Sequence, residues 1–229
     1  MEIFIDSANL AEIKKWLKMG LLDGVTTNPS IMFRDKVYDM ESDAKEIAAL
    51  IDPRSVSVEV TTSDLDEMII QAQEFASWAP NIAIKIPQVI QDGTPCYGVI
   101  NQLESEGIKV NATIALSFTQ VILAAKAGAS YISIFAGRVA DEGGNAPELI
   151  KKAVDWIEHW NYKSKIIVGS IRGIVDIQEA AIAGAHIITI PPQFLSLMAD
   201  HKYTRATVEQ FLTDARKALQ IMEKEERQK

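Results

Sequence analysis

Apolar and polar positions along the chain follow two periods in turn. Short runs rich in Val, Ile, Thr, Phe and Tyr recur at "EIFID" (2–6), "GVTTN" (24–28), "SVSVEV" (55–60), "IAIKIP" (82–87), "KVNATI" (109–114), "YISIFA" (131–136), "KIIVGS" (165–170) and "HIITIP" (186–191). Their composition and near-alternation are those of strands. Between them lie segments whose apolar residues return every three or four positions. In "ANLAEIKKWLKMG", Leu10, Ile13, Trp16 and Leu17 share one face, Asn9 with Glu12 reads as a capping box, and Gly20 ends the helix. "DLDEMIIQAQEFASW", "TQVILAAKAGA", "APELIKKAVDWIEHW" and "DIQEAAIAGA" carry the same period.

Strands and helices in alternation, with no linker-like break, predict a parallel sheet. About eight such units fit an α/β fold of the closed (β/α)8 TIM-barrel type. An open doubly wound sheet is the alternative, but "DSANLAE" after the first strand lacks the Gly-rich turn that fold usually shows. A final helix is expected over 204–228, starting at a Thr cap and carrying Val208, Phe211, Leu212, Ala215, Leu219 and Met222 along one stripe. With no ninth strand to cover, it is expected to close the barrel bottom or to pack on a neighbouring subunit. The expected organisation is one barrel domain over 1–229.

Composition narrows the partners. A chain 48% hydrophobic and 24% charged, with 12 Gly and 8 Pro in 229 residues, has the makings of a large soluble core. A net charge of −8 argues against nucleic acid, which needs clustered basic residues, but leaves room for a small anion held by two or three local cations. Runs such as "KIIVGSI" and "HIITIPP" fall far short of the roughly 20 apolar residues of a membrane span. The single cysteine, Cys96, and the start "MEIFID", which lacks a signal-like core, point to the cytoplasm. His159, His186 and His201 have no metal-ligand spacing, so no metal site is expected.

The chemistry lies in one parity. In a barrel every second strand residue points inward. Applied to "IAIKIP", the rule sends Ile82, Ile84 and Ile86 to the helices and Ala83 and Lys85 to the axis. It also places Asp6, Asn28, Ser57, Glu59, Asn111, Thr113, Ser133, Phe135 and Ser170 inside, toward the C-terminal mouth where barrel active sites lie. A lone buried lysine is readily a structural ion-pair partner of Asp6 or Glu59. A converging set of carboxylates, amides, hydroxyls and one amine suits catalysis better.

A lysine among apolar walls and near another cation can act as a free amine and form a Schiff base with a carbonyl. The iminium then accepts electrons from a breaking carbon–carbon bond, and Asp6 or Glu59 takes the proton of the β-hydroxyl. Asn28 and Asn111 would orient substrate hydroxyls. This is class I aldol chemistry. Arg138 after the sixth strand, with Ser170 and Arg172 after the seventh, forms a candidate anion site at the usual barrel position; each arginine alone is as readily a surface ion-pair partner.

The segments "FIDSANLAEI", "GVTTNPSIM", "SVEVTT", "IAIKIP", "EGIKVNATIALSFTQVILAAKAGASYIS" and "FAGR" span almost the whole chain. In them the chain resembles the small transaldolases and the related fructose-6-phosphate aldolases. The resemblance implies Lys85 as the Schiff-base lysine, Asp6 as acid/base, and Glu59 with Thr113 as the pair that positions a catalytic water. It implies substrate or phosphate contacts at Thr26, Asn28, Asn111, Ser133, Phe135, Arg138, Ser170 and Arg172. It further implies a homo-oligomer built on rings, a pentamer or decamer.

Glu59 and Phe135 stand where the aldolase branch has a glutamine and a tyrosine, which favours transaldolase. Ile134 and Gly173 replace a proline and a histidine or asparagine common in small transaldolases, which leaves the anionic end of the substrate open. The expected activity is transfer of a dihydroxyacetone unit from a ketose phosphate to an aldose, with no metal or organic cofactor. The alternatives are free aldol cleavage, transfer from a sulfonated ketose such as 6-deoxy-6-sulfofructose, a non-catalytic sugar-phosphate-binding barrel, and a pyridoxal phosphate carrier using the same lysine.

Overall fold

The computed structural model describes residues 1–227. Its strands are β1 (Glu2–Asp6), β2 (Gly24–Thr26), β3 (Ser55–Glu59), β4 (Ile82–Pro87), β5 (Val110–Ala115), β6 (Tyr131–Phe135), β7 (Lys165–Gly169) and β8 (Ile187–Ile190). They close in sequence order into a barrel whose neighbouring pairs are all parallel, β8 returning to β1. This is the (β/α)8 TIM barrel that the alternation predicts. The chain divides into two compact units, Met1–Pro192, which holds the barrel, and a second beginning at Gln193.

Eight helices lie in the six connections from β1 to β7: α1 (Leu10–Lys18), α2 (Pro29–Arg34), α3 (Met40–Ile51), α4 (Leu65–Ser77), α5 (Tyr97–Ser105), α6 (Phe118–Lys126), α7 (Ala136–Asp141) and α8 (Ala146–His159). Then come α9 (Ile174–Ile182), α10 (Pro192–Ala199) and α11 (Lys202–Glu226). The α2, α3, α5, α7 and α10 segments are additions to the sequence reading.

The expected capping box of α1 is only half formed. Asn9 accepts from the amides of Ala11 and Glu12, but Glu12 turns to Lys15 and the Trp16 indole, and the Asn9 amide donates to Ser7 Oγ instead. The last helix starts at Lys202, two residues before the expected Thr cap, because the His201 imidazole accepts from the Tyr203 amide. Gln228, the last residue of the expected helix, lies outside the described residues.

Inside and outside follow the alternation. Ile5, Val58, Ile84, Ile86, Val110, Ala112, Ile132 and Ile134 are fully buried neighbours of the inward set. One end of the interior is filled by Phe4, Ile167 and Ile187, with Tyr131 against them. Phe4 comes so close to β2 that a Cβ on Gly24 would meet its ring at 2.5–2.7 Å, so this position needs glycine.

The alternation breaks at two places. The β5–β6 register shifts between Ala112 and Ala115, and Ile114 adopts a left-handed φ of 60°. Ser170 follows β7 with φ 58°, a conformation uncommon for a residue with a Cβ. The expectation that alternation places Ser170 inside needs correction: with Ile167 and Gly169 inward, strict parity turns position 170 toward the helices. The left-handed turn is what brings it to the barrel mouth.

Candidate active site

A cavity of about 150 Å3 opens at the C-terminal ends of the strands. It is lined by Asp6, Thr26, Asn28, Lys85, Ser133, Phe135, Arg138, Gly169, Ser170 and Thr189. Eight of these are residues that the sequence singles out as site candidates.

Lys85 is 4% exposed. Its Nζ lies 3.1 Å from Glu59 Oε2 and donates to the Thr27 carbonyl at 3.0 Å. The ladder dictates the first contact, because Glu59 and Lys85 are register partners on β3 and β4. The expected neighbouring cation is not among these partners; the amine faces a carboxylate.

Asp6, at the end of β1, accepts from Thr26 Oγ1 at 2.7 Å. The Thr26 hydroxyl is also bonded to that of Thr189. Since Thr26 gives its proton to Asp6, Thr189 is the donor in that second bond. Burial pushes the Asp6 carboxyl above the ordinary carboxylate range; the Thr26 bond and the charges of Lys85 and Arg34 pull the other way without cancelling it. Arg34 also approaches the Asp6 carbonyl at 3.5 Å.

Asn28 caps α2 through Oδ1, which accepts from the Ile31 amide at 2.8 Å. That bond occupies the amide oxygen and leaves the side-chain nitrogen as the available donor.

Three expected residues sit beside the cavity without lining it. Glu59 reaches it through Lys85. Asn111, fully buried, accepts from Ser133 Oγ at 2.6 Å and donates to Ser57 Oγ at 3.2 Å. Thr113 is fully buried, and its hydroxyl has no hydrogen-bond partner among the described residues. A buried hydroxyl without a partner is costly unless something else meets it.

The anion site is divided. Arg138 and Ser170 line the cavity. Arg172 does not: its guanidinium forks onto both carboxylate oxygens of Asp141, and its amide donates to Asp176 at 2.7 Å. Those groups border a larger cavity of about 510 Å3 between α7, α8 and α9, lined also by Glu179 and Asn145. Despite its size, that cavity contains neither the amine nor Asp6.

Sequence reasoning missed Thr189 and Arg34. Thr189 is the one polar residue of β8, and the parity rule that found Lys85 would have placed it inside. Arg34 had no comparable signal, because it stands on a short helix after β2. Two of the three histidines have structural places: Nδ1 of His186 accepts from the Ile166 amide, and His201 caps α11. Among the described residues no group of three or more His, Cys, Asp or Glu is arranged to hold a metal ion, and no helix is long and apolar enough to cross a membrane.

Residues 3–229 match the family described as Transaldolase/Fructose-6-phosphate aldolase. The chain belongs to the transaldolase/fructose-6-phosphate aldolase family. A probable transaldolase of Lactiplantibacillus plantarum is 42% identical over 224 residues, covering 98% of this chain and 100% of its own. A probable transaldolase of Dehalococcoides mccartyi is 38% identical over 214 residues, covering 93% and 97%.

Among solved structures, a chain of a designed cube-shaped protein cage matches with TM-score 0.62 and 14% identity, covering 96% of this chain and 79% of that one. The thiamine phosphate pyrophosphorylase of Pyrococcus furiosus matches with TM-score 0.56 and 12% identity, covering 82% and 85%. At such identities these likenesses concern the barrel alone. The family membership rests on the sequence matches.

Proposed function

We propose that the protein is a Schiff-base transaldolase, with Lys85 as the nucleophile. The observation that carries this reading is a buried amine in a mouth cavity, ion-paired with Glu59 and sharing the cavity with Asp6, in a chain of this family.

In this reading the neutral Lys85 amine attacks C2 of a ketose, and the carbinolamine loses water to give an iminium. Asp6 takes the proton of the C4 hydroxyl. The C3–C4 bond breaks, its electrons moving toward the iminium to form an enamine, and an aldehyde leaves. An aldose then enters, the steps run in reverse, and water frees the new ketose. The raised Asp6 carboxyl suits a group that must both take and return a proton. Glu59 and the unpartnered hydroxyl of Thr113 would hold the water that carries protons to and from the nitrogen. Asn28, Asn111, Thr26 and Ser133 would orient hydroxyls, and Phe135 would wall one side.

Arg138 with Ser170 would receive the anionic end. A phosphate and a sulfonate share the tetrahedral oxygens these groups accept, so ketose phosphates and sulfonated ketoses both fit. Fructose 6-phosphate supplied with and without erythrose 4-phosphate tests the assignment. Acceptor-dependent sedoheptulose 7-phosphate is the expected product; rapid acceptor-independent release of dihydroxyacetone would make the protein an aldolase of the same family.

The apolar stripe of α11, with Phe211, Leu212, Leu219 and Met222 more than half exposed, supports a homo-oligomer contact for residues 204–227. Mass in solution should fall on deleting residues after Thr204; an unchanged assembly would remove that role.

A further inference from the structure

We infer that Asp141 is a specificity-determining residue, an internal competitor that holds Arg172 away from the anion end of the cavity until a substrate carrying a terminal anion displaces it. The inference rests on the reading of Lys85 and the mouth cavity as an active site, and it concerns what that site discriminates.

The argument starts from position. Arg172 stands two residues after Ser170, which lines the cavity. A Cβ built on Gly137 would lie 2.9 Å from Ser170 Oγ and 2.8 Å from Arg172 Nε. Gly137 is therefore the seam between the two cavities, and the hydroxyl facing one is a few ångströms from the guanidinium facing the other. No side chain stands at that seam, because position 137 has none. In this proposal, rotation of the outer Arg172 side chain carries its fork across.

What stops it is Asp141. The carboxylate on α7 accepts from both terminal nitrogens of Arg172, and these bonds hold the Asp141 carboxyl below the ordinary carboxylate range. Asp176 and Glu179 add acidic groups to the same cavity wall, so nothing there but carboxylate competes for the fork. Arg138 differs: it lines the mouth cavity and makes no fork onto Asp141, although its charge also reaches that carboxylate. The anion end thus presents one guanidinium already at the mouth cavity and a second in reserve. Both members of the Arg172–Asp141 pair are about half exposed, so the pair is weak enough to exchange. A fork released from one carboxylate regains its bidentate geometry on a phosphate.

A neutral-ended sugar has nothing to offer Arg172 and leaves the pair intact. A terminal phosphate does, and pays the cost of breaking it. Asp141 then sets the affinity for anionic substrates without touching the reacting carbons.

Asp141→Asn, Asp141→Glu, Arg172→Gln and the double variant Asp141→Asn/Arg172→Gln separate the possibilities. Two quantities are read: affinity for inorganic phosphate by calorimetry, and the half-saturating concentrations of fructose 6-phosphate and of fructose for a borohydride-trapped adduct. Asp141→Asn should tighten phosphate and lower the fructose 6-phosphate value by about two- to fivefold, the worth of an exposed ion pair. The fructose value and kcat should not move, Asp141→Glu should behave as the parent, and the gain should vanish in the double variant.

Phosphate affinity unchanged or weakened in Asp141→Asn would overturn the inference. So would a gain that survives the loss of Arg172, since it would come only from the removed charge. Failure of the underlying functional reading looks different: no adduct with either ketose, whatever phosphate affinity does.

Discussion

Glu59 and Lys85 meet across the β3–β4 ladder, carboxylate oxygen to amine at 3.1 Å, as register partners at the barrel mouth. Their pairing follows from two strands whose apolar residues face the helices. In-register neighbours on parallel strands project the same way, so two inward polar residues at one level must interact. An ion pair and a nucleophile are compatible at such a site, because the carboxylate is also the nearest acceptor for a proton leaving the amine.

Glu59→Gln keeps the shape and removes that acceptor. Transfer between fructose 6-phosphate and erythrose 4-phosphate should fall by about 10²-fold, within the span of acid–base contributions. Because a water must otherwise deliver the protons, a coupled assay should show the loss in kcat more than in KM. An unchanged kcat would leave Glu59 with the ion pair alone.

Asp6 carries a pH signature. Burial raises its carboxyl above the ordinary range, and the cleavage step needs it ionised. The acid limb of kcat should therefore lie at higher pH than for a solvated carboxylate. For stability the sign is the reverse of a salt-bridged aspartate: with the folded value raised, the Asp6 contribution is full below the unfolded value and is lost as pH rises through the folded one. Asp6→Asn should thus lower kcat by about 10²- to 10⁴-fold while raising Tm at pH 7, the Tm gain shrinking as pH drops through the raised folded value and vanishing below the ordinary carboxylate value. Calorimetric scans across pH check this.

Much of this site is legible in the chain because the parity rule is strict where strands are regular. Lys85, Asp6, Glu59 and Asn111 fall where it sends them. Thr189 was equally legible and needed only the same rule on β8. Ser170 is different: it reaches the cavity through a left-handed turn that no alternation predicts. Arg172 is different again. Its sequence position suits an anion site, but its direction depends on Asp141, 31 residues away in the chain. Which of two partners a long side chain selects is a matter of tertiary charge placement, and local period carries no record of it.

Thr189→Val removes the hydroxyl that donates to Thr26, and with it the orientation of the bond to Asp6. As a positioning residue it should cost about fivefold in kcat, the worth of one hydrogen bond. The acid limb should also move, since the Thr26 bond that opposes burial is weakened. Thr189→Ser should restore both. A kcat loss with no movement of the limb would make the role one of packing.

Gly24→Ala tests the far end of the interior. The added methyl would meet the Phe4 ring at 2.5–2.7 Å, and overpacking of this kind costs about 1–3 kcal/mol. Denaturant titration should show a lower midpoint with the m-value unchanged, while residual folded protein keeps its KM.

The central claim is that Lys85 forms the covalent bond to substrate. Borohydride added to the protein with fructose 6-phosphate, followed by peptide mass mapping, reads it directly. The expected result is a reduced adduct on the peptide containing Lys85, absent without ketose and absent in a folded Lys85→Met variant. No adduct, or an adduct on another lysine that persists in Lys85→Met, would contradict the account.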